Sequence, residues 1–442
     1  MGVIKKPKAK IRGGAHVPHH KDTAEGESVR MQAPARIVLP MRQHIGVYCK
    51  PVVTVGEQVK VGQVVGDDDA LLVAPIHSPI SGTVRAIEPY LLARGTTVDA
   101  VIIDNDGDDA LHPEIQAPKI ENLEDFLLAV RQSGLVGIGG AGFPTHVKLA
   151  TKDEIEILLI NAAECEPYIT SDYREIMENH HHVLEGIRRV MQYRNIPKCI
   201  IGIECNKPKA IALLAREIKA KQMEAQVTIV ELPAHYPHGA EKQLIYAATG
   251  RIVPLGALPS SVHVMMLNVS SVSVLNYYLD TGIPLVRKRM TVAGAAIKHP
   301  QNVFVPIGAT IEDVVQVCGG FTQAVEKIIM GGPMMGVAQY DLKTPVFKQN
   351  NALLCFGEEE NFKPKENPCI RCGRCVSVCP MRLLPTELEL AGRKGDIQTL
   401  KRLGMLGCME CGSCAYACPA HRPLVQYLKQ AKQVVRTHDA KG

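Results

Sequence analysis

The sequence contains no tryptophan, and phenylalanine and tyrosine bring the aromatic share to only 4% of its 442 residues. Its cores therefore have to be built from aliphatic side chains. No stretch reaches the ~18 uninterrupted apolar residues that a membrane-spanning helix needs, so no transmembrane helix is expected. The longest apolar region, Leu255 to Leu279, is broken by Pro259, Ser260, Ser261, His263 and Asn268. The basic N-terminal run MGVIKKPKAKIRGGAH is not followed by an apolar core, so no secretory signal is expected either. A strong charge imbalance is also missing. The formal net charge is +5, and the basic N-terminal run and the LKQAKQVVR segment read as solvated faces, with no nucleic-acid partner. The hydrophobic share of 46% is ordinary for globular chains, and the length allows several domains.

Cysteine is plentiful. Cys49, Cys165, Cys199, Cys205, Cys318 and Cys355 are scattered without pairing logic, which fits a reduced compartment. The other eight form two copies of one spacing, Cys-x2-Cys-x2-Cys-x3-Cys-Pro. The first is Cys369, Cys372, Cys375, Cys379 and Pro380; the second is Cys408, Cys411, Cys414, Cys418 and Pro419. Thiolates so spaced hold [4Fe-4S] clusters, and in two-cluster ferredoxins the fourth Cys of each run ligates the other cluster. One cluster is accordingly assigned to Cys369, Cys372, Cys375 and Cys418, and the other to Cys408, Cys411, Cys414 and Cys379. Zinc also uses Cys-x2-Cys pairs, but it has no use for the exact repeat with its trailing proline.

Upstream, hydrophobic periodicity and Gly/Pro punctuation divide the chain. Residues 1–118 contain short alternating strands, VTVGEQVKVGQVVGD and APIHSPISGTVRAIE, similar to the biotinyl/lipoyl type of barrel-sandwich domain. The intervening DDDALLVAPIHS offers no lysine for a carrier arm, so a docking or structural role is expected. Residues 119–285 alternate strands with helices. EIEILLI, CIIGIE and QVTIVEL read as buried strands, while segments from Glu121, Asp172 and Lys209 read as helices, implying a largely parallel sheet. Short strands return over 286–350, with GGPMMG near their end. Residues 351–442 carry the cysteine runs and a closing amphipathic helix.

The α/β segment holds a second constellation. Gly137, Gly139 and Gly142 spell G-x-G-x-x-G, with Gly140 between them and Phe143 and Pro144 behind. A helix before the loop and Pro144 after it disfavour an ordinary dinucleotide fingerprint. A Gly-rich loop entering a helix still presents N–H groups to a phosphate or flat ring, and Lys148 can add a charge-assisted contact. Asn161, Glu164 and Glu166 in NAAECEPYITSD, Gly239 and Glu241 in AHYPHGAEKQL, and Asn268 and Ser271 in MLNVSSV all follow expected strand ends. Ligands of parallel sheets bind there. His180, His181 and His182 point in different directions on a helix and are not expected to bind metal. His16, His19 and His20 belong to an ordered N-terminal arm, and Met334 and Met335 read as core or turn residues.

GIGGAGFPTHVKL, NAAECEPY, the Y-x-x-G-x-E of Tyr236, Gly239 and Glu241, and the N-V-S-S segment resemble the flavin- and NADH-binding subunit of complex I. With the two-cluster tail and the GGAHVPHHK segment, the chain resembles the RnfC family, a component of the Rnf complex, the ion-translocating ferredoxin:NAD+ oxidoreductase. The resemblance implies a multidomain α+β and α/β protein: a barrel-sandwich hybrid (1–118), an FMN/NADH domain (119–285), a β-grasp SLBB domain (286–350) and a two-cluster ferredoxin domain (351–442). It implies FMN, NAD(H) and two [4Fe-4S] clusters as cofactors. Gly137, Gly139, Gly140, Gly142 and Lys148 would line FMN, Asn161 and Glu164 would meet its ring with Glu166 beside them, and Phe143 would stack near the nucleotide. Tyr236 and Gly239 would complete the site, Glu241 would face the nicotinamide nucleotide, and Asn268 and Ser271 would close the flavin side. Glu164 and Glu241 carry the implied catalytic roles. Ala240 stands where the complex I protein has an acidic residue. Membrane-integral and ferredoxin-like Rnf subunits are the implied partners, with peripheral attachment at the cytoplasmic face of the cell membrane. The competing expectations are a flavin-free electron relay and a diaphorase-type subunit of a soluble hydrogenase or bifurcating complex.

Overall fold

The structure, a computed structural model, describes residues 2–93, 95–360 and 364–439. Its centre is a five-stranded, all-parallel sheet ordered Ile4–Lys5, Val227–Leu232, Lys198–Glu204, Ile157–Ala162, Val264–Asn268. The four longer strands are near-continuous aliphatic runs, as a sheet covered on both faces requires. Helices Leu123–Gln132, Ser171–Arg194, Pro208–Ala220, Glu241–Thr249 and Val269–Thr281 alternate with these strands or precede them. Asn122 caps the first, accepting from Asp125 N at 2.9 Å. Helices Ser171–Arg194 and Val269–Thr281 pack closely because residue 186 is glycine; a Cβ there would stand 2.4 Å from the Val272 carbonyl oxygen.

Two small antiparallel sheets precede this domain. Arg36–Pro40, Thr97–Asn105, Gly82–Leu91 and Gln58–Val59 make one, and Lys50–Pro51, Val64–Asp67 and Ile76–His77 the other. They enclose Ile37, Leu39, Val65, Ile76, Ile80, Val84 and Ile103. The DDDALLVAPIHS segment packs against neighbouring parts of the chain. Asp67 accepts both guanidinium nitrogens of Arg131, at 2.9 and 3.1 Å. Pro75 O and Gly134 O share the buried Lys348 ammonium, at 2.5 and 2.7 Å.

A six-stranded mixed sheet follows, ordered Val337–Gln339, Lys327–Met330, Ala352–Phe356, Arg287–Ala293, Gln301–Pro306, Val29–Arg30. It is held to the long helix Ser171–Arg194 by Arg289, whose Nε lies 3.0 Å from Glu175 Oε2 and whose NH1 lies 2.6 Å from Glu178 Oε2. Two placements here correct the sequence-based boundaries. Ile4–Lys5 and Val29–Arg30 lie outside the barrel-sandwich and edge the two other sheets; two-residue strands have no periodicity to read. Ala352–Phe356, which the sequence pattern places in the 351–442 segment, is a central and fully buried strand of the six-stranded sheet.

The remaining residues form short helices around Leu388, Leu400, Met405, Leu424, Leu428 and Val435, closed by Leu424–Asp439. Among the described residues no helix is long and apolar enough to cross a membrane. Replacing Gly186 with valine forces the two packed helices apart, so Gly186→Val should destabilise the fold by about 1–3 kcal/mol, measured as a lowered urea midpoint.

Candidate functional site

Every strand of the parallel sheet ends at the same edge, so the loops after residues 162, 232 and 268 meet there. The Gly-rich loop covers them. Its path needs glycine at Gly139 and Gly142, whose φ values are 73° and 72°. Gly137 N donates to Phe143 O at 2.9 Å and Gly139 N to Gln349 O at 2.9 Å. Ile138 N donates to Ser271 Oγ at 3.0 Å, tying the loop to the helix that follows the last strand. Gly139 and Gly140 remain exposed, and a Cβ built on Gly140 meets no protein atom within 4 Å. The loop is thus rigid at its base and open at its tip. Phe143 is half-buried at its far end. Lys148, in helix Thr145–Leu149, reaches Met266 O at 3.2 Å and Glu241 Oε2 at 3.5 Å.

The acidic loop lies beside it. Asn161 Nδ2 donates to Gly239 O at 2.8 Å, which joins two of the expected segments directly. Glu164 Oε1 accepts from Asp172 N at 2.6 Å, and Glu166 Oε2 from Met334 N at 3.0 Å. Their other oxygens, Glu164 Oε2 and Glu166 Oε1, are buried without a hydrogen-bond partner. Buried polar atoms are normally satisfied, so this pair fits a site that receives a ligand with donors. Burial raises both carboxyls above the ordinary glutamate range, Glu166 to about 7. Two lysines stand behind the loop. Lys21 Nζ contacts the carbonyls of Glu164 and Glu166, at 2.9 and 2.8 Å. Lys207 Nζ donates to Ala163 O at 2.7 Å and lies 3.2 Å from Glu204 Oε2.

Other expected residues are engaged within the protein. Asn268 caps helix Val269–Thr281, accepting from Ser270 N and Ser271 N at 2.8 and 3.2 Å, while its Nδ2 donates to Asp172 Oδ2 at 2.8 Å. Asn268 and Ser271 therefore shape the floor. Tyr236 is buried, and its hydroxyl donates to Cys411 O at 2.7 Å. That bond leads from the crevice into the cysteine runs.

The structure brings the fourth cysteine of the first run to the second run. Cys379 from the first run lines one cavity with Cys408, Cys411 and Cys414 from the second, among Pro380, Met381, Leu383, Leu388 and Leu428. Burial, with Cys411, Cys408 and Cys379 alongside, pushes the Cys414 thiol up to about 12. Burial likewise raises Cys375, which has Cys418 and Cys369 beside it. None of the eight forms a disulfide. Four thiols on an apolar cavity fit an iron–sulfur cluster. The first group lies against Tyr236. The second is open: residues 364–374 are exposed without a break, Cys369 and Cys372 among them.

A Gly-rich loop beside unsatisfied buried carboxyls, joined through Tyr236 to a cysteine-lined cavity, fits the class of flavin- and iron–sulfur-dependent electron-transfer proteins. Comparison with known proteins narrows this. Residues 9–108 match the RnfC barrel sandwich hybrid domain, 130–276 the Nuo51 FMN-binding domain, 289–338 the SLBB domain and 368–421 the 4Fe-4S dicluster domain. The chain is 40% identical over 429 residues to a subunit of the proton-translocating ferredoxin:NAD(+) oxidoreductase complex of Clostridium ljungdahlii, covering 96% of this chain and 93% of that one. It is 38% identical over 438 residues to the counterpart in the Na(+)-translocating complex of Acetobacterium woodii, covering 98% of each. It is 37% identical over 429 residues to the counterpart in the ion-translocating oxidoreductase complex of Rhodobacter capsulatus, covering 96% of this chain and 82% of that one. A solved NAD+-reducing [NiFe]-hydrogenase shares the fold alone, with 20% identity and a TM-score of 0.51; the match covers 72% of this chain and 64% of that chain. The chain belongs to the RnfC family of the ion-translocating ferredoxin:NAD+ oxidoreductase (Rnf) complex. The complex I flavoprotein-like domain and the two-cluster domain bring FMN and iron–sulfur clusters with them.

Sequence reasoning missed Lys21, Lys207, Asp172 and Gln243, whose Nε2 donates to Pro380 O at 3.1 Å. Lys207 directly precedes Pro208, the first residue of a helix, which could have marked it as a strand-end residue like the others. Lys21 lies in the GGAHVPHHK segment, where the histidines are the more conspicuous residues. Met334, expected as a turn or core residue, supplies the donor to Glu166. Because Gly140 faces open space, Gly140→Leu should leave the melting temperature of the flavin-free protein unchanged and abolish retention of FMN, measured by flavin fluorescence after desalting; stoichiometric flavin in the variant would contradict the loop assignment.

Proposed function

We propose that this chain is the NAD(H)-reactive subunit of a membrane-bound, ion-translocating ferredoxin:NAD+ oxidoreductase. The observation that carries the reading is the direct link between crevice and cluster: Tyr236 Oη donates to Cys411 O at 2.7 Å, and Gln243 Nε2 donates to Pro380 O at 3.1 Å, next to Cys379. Both contacts reach the same cysteine group. In this reading Gly137, Gly139, Gly140, Gly142 and Lys148 hold FMN, with Phe143 against the nucleotide. Asn161 and Glu164 face the ring and Glu166 lies beside them, while Tyr236 and Gly239 form the wall toward the clusters. Glu241 receives the nicotinamide nucleotide with Lys148 as its charge partner, and Asn268 and Ser271 set the floor. Cys379, Cys408, Cys411 and Cys414 hold the inner [4Fe-4S] cluster, and Cys369, Cys372, Cys375 and Cys418 the outer one.

Bound FMN supplies the exchange between the two-electron hydride of NAD(H) and the one-electron clusters. The chain's own residues position it. Glu164 and Glu166, raised by burial, present carboxyls able to hold a proton at Oε2 and Oε1 near neutrality. In this reading electrons pass to partner subunits at residues 369–372, a reading supported by the exposure of Cys369 and Cys372. We assign those partners as membrane-integral and ferredoxin-like Rnf subunits, which hold this chain peripherally at the cytoplasmic face of the membrane. In this reading the domains run 1–118, 119–285, 286–350 and 351–442, with strand Ala352–Phe356 assigned to the SLBB segment because it pairs within the six-stranded sheet.

Anaerobically purified protein should contain about eight irons and eight acid-labile sulfides with one FMN, and NADH should bleach its visible spectrum. Eight irons without flavin, and no response to NADH, would reduce the chain to a relay.

A further inference from the structure

The arm Gly13–Thr23 is not explained by nucleotide or cluster chemistry, yet it touches both. Gly14 N donates to Val378 O at 2.7 Å, beside Cys379, and Ala15 N to Tyr236 O at 2.8 Å. A Cβ on Gly13 would stand 2.7 Å from the Cys379 carbonyl oxygen. Further along, His19 O accepts from Tyr168 N at 2.9 Å. The His20 ring stacks on Tyr168 with centroids 4.6 Å apart, and Thr23 Oγ1 lies 2.6 Å from Thr170 Oγ1. The arm is laced along the whole acidic loop.

Lys21 is the strongest of these contacts. Its ammonium donates to Glu164 O at 2.9 Å, Glu166 O at 2.8 Å and Ile169 O at 2.5 Å. An ammonium has three donors, and the loop accepts all of them. That loop bends sharply, with two non-glycine residues in the left-handed region, Glu164 at φ 51° and Tyr168 at φ 68°. Such conformations persist only where the surroundings over-determine them. Three carbonyls turned toward one point also repel one another unless a cation sits among them.

We propose that Lys21 is a positioning residue for the flavin crevice: its ammonium, seated on the carbonyls of Glu164, Glu166 and Ile169, holds the bent loop that aims both carboxyls. The proposal rests on the reading of this crevice as the FMN site. Removing the cation leaves the converging carbonyls unpaired. The loop then opens, and flavin binding weakens while the cysteine groups, held by their own helices, keep their iron.

The test uses the full chain, purified anaerobically, with Lys21→Met and Lys21→Arg beside the wild type. FMN affinity is measured by fluorescence quenching on deflavinated protein, and iron is assayed on the same samples. Lys21→Met should keep about eight irons and bind FMN about tenfold or more weakly. Lys21→Arg, which restores a cation, should recover most of the affinity. Wild-type affinity in Lys21→Met would overturn the proposal. So would equal impairment of the two variants, or joint loss of iron and flavin in both, since each would mark a packing role without need of the charge. If the wild type itself binds no FMN, the reading of the crevice falls and the proposal with it, a result distinct from a defect confined to Lys21→Met.

Discussion

Parallel strands joined by helical crossovers must all end at the same edge of their sheet, and the rest of the site depends on that constraint. It brings the loops after Ala162, Leu232 and Asn268 into one crevice. It also crowds charge. Glu164, Glu166, Asp172, Glu204, Lys21 and Lys207 meet in a small volume where an unpaired charge is costly. The structure answers with interlocked partners: Asp172 takes Asn268 and Ser270, at 2.8 and 2.6 Å, and Lys207 takes Glu204 and Ala163 O, at 3.2 and 2.7 Å. One oxygen each of Glu164, Glu166 and Glu204 is left without a hydrogen-bond partner. The crevice is polar where a ligand is to be held and aliphatic beneath.

The same edge faces the cysteine runs, so the nucleotide crevice and the inner cysteine group share a wall. Tyr236 forms it with Ala15, Val17 and Cys411, and Met334 packs against it. Met334 N, bonded to Glu166, draws the GGPMMG loop of the six-stranded sheet into this junction. Four modules thus converge on one place through a few directed contacts. The barrel-sandwich contributes Asp67 to Arg131 and Pro75 O to Lys348. The six-stranded sheet contributes Arg289 to Glu175 and Glu178.

Much of this was legible in the chain. The cysteine spacing pointed to a two-cluster segment, and Cys379 lines a cavity with Cys408, Cys411 and Cys414. The aliphatic runs EIEILLI, CIIGIE and QVTIVEL announced a buried parallel sheet, so the candidate loops could be placed at its strand ends. What stayed hidden shares a cause. Ile4–Lys5 and Val29–Arg30 are too short for any period, and their sheets are set by tertiary pairing. Ala352–Phe356 reads as a strand anywhere; only its neighbours assign it to the six-stranded sheet. Lys21 acts on a loop more than a hundred residues away, and nothing in its local sequence says so. Asn268 looks like a free amide in sequence, yet it is committed to a helix cap and to Asp172.

The central claim is that the crevice delivers electrons first to the cysteine group that includes Cys379. The most direct measurement is Cys379→Ala, assayed anaerobically for iron and for reduction by NADH. The account predicts that iron falls from about eight to about four, that NADH still bleaches the flavin, and that the remaining cluster is no longer reduced at the wild-type rate. Retention of all the iron, or an unchanged rate of reduction of the remaining cluster, would contradict it.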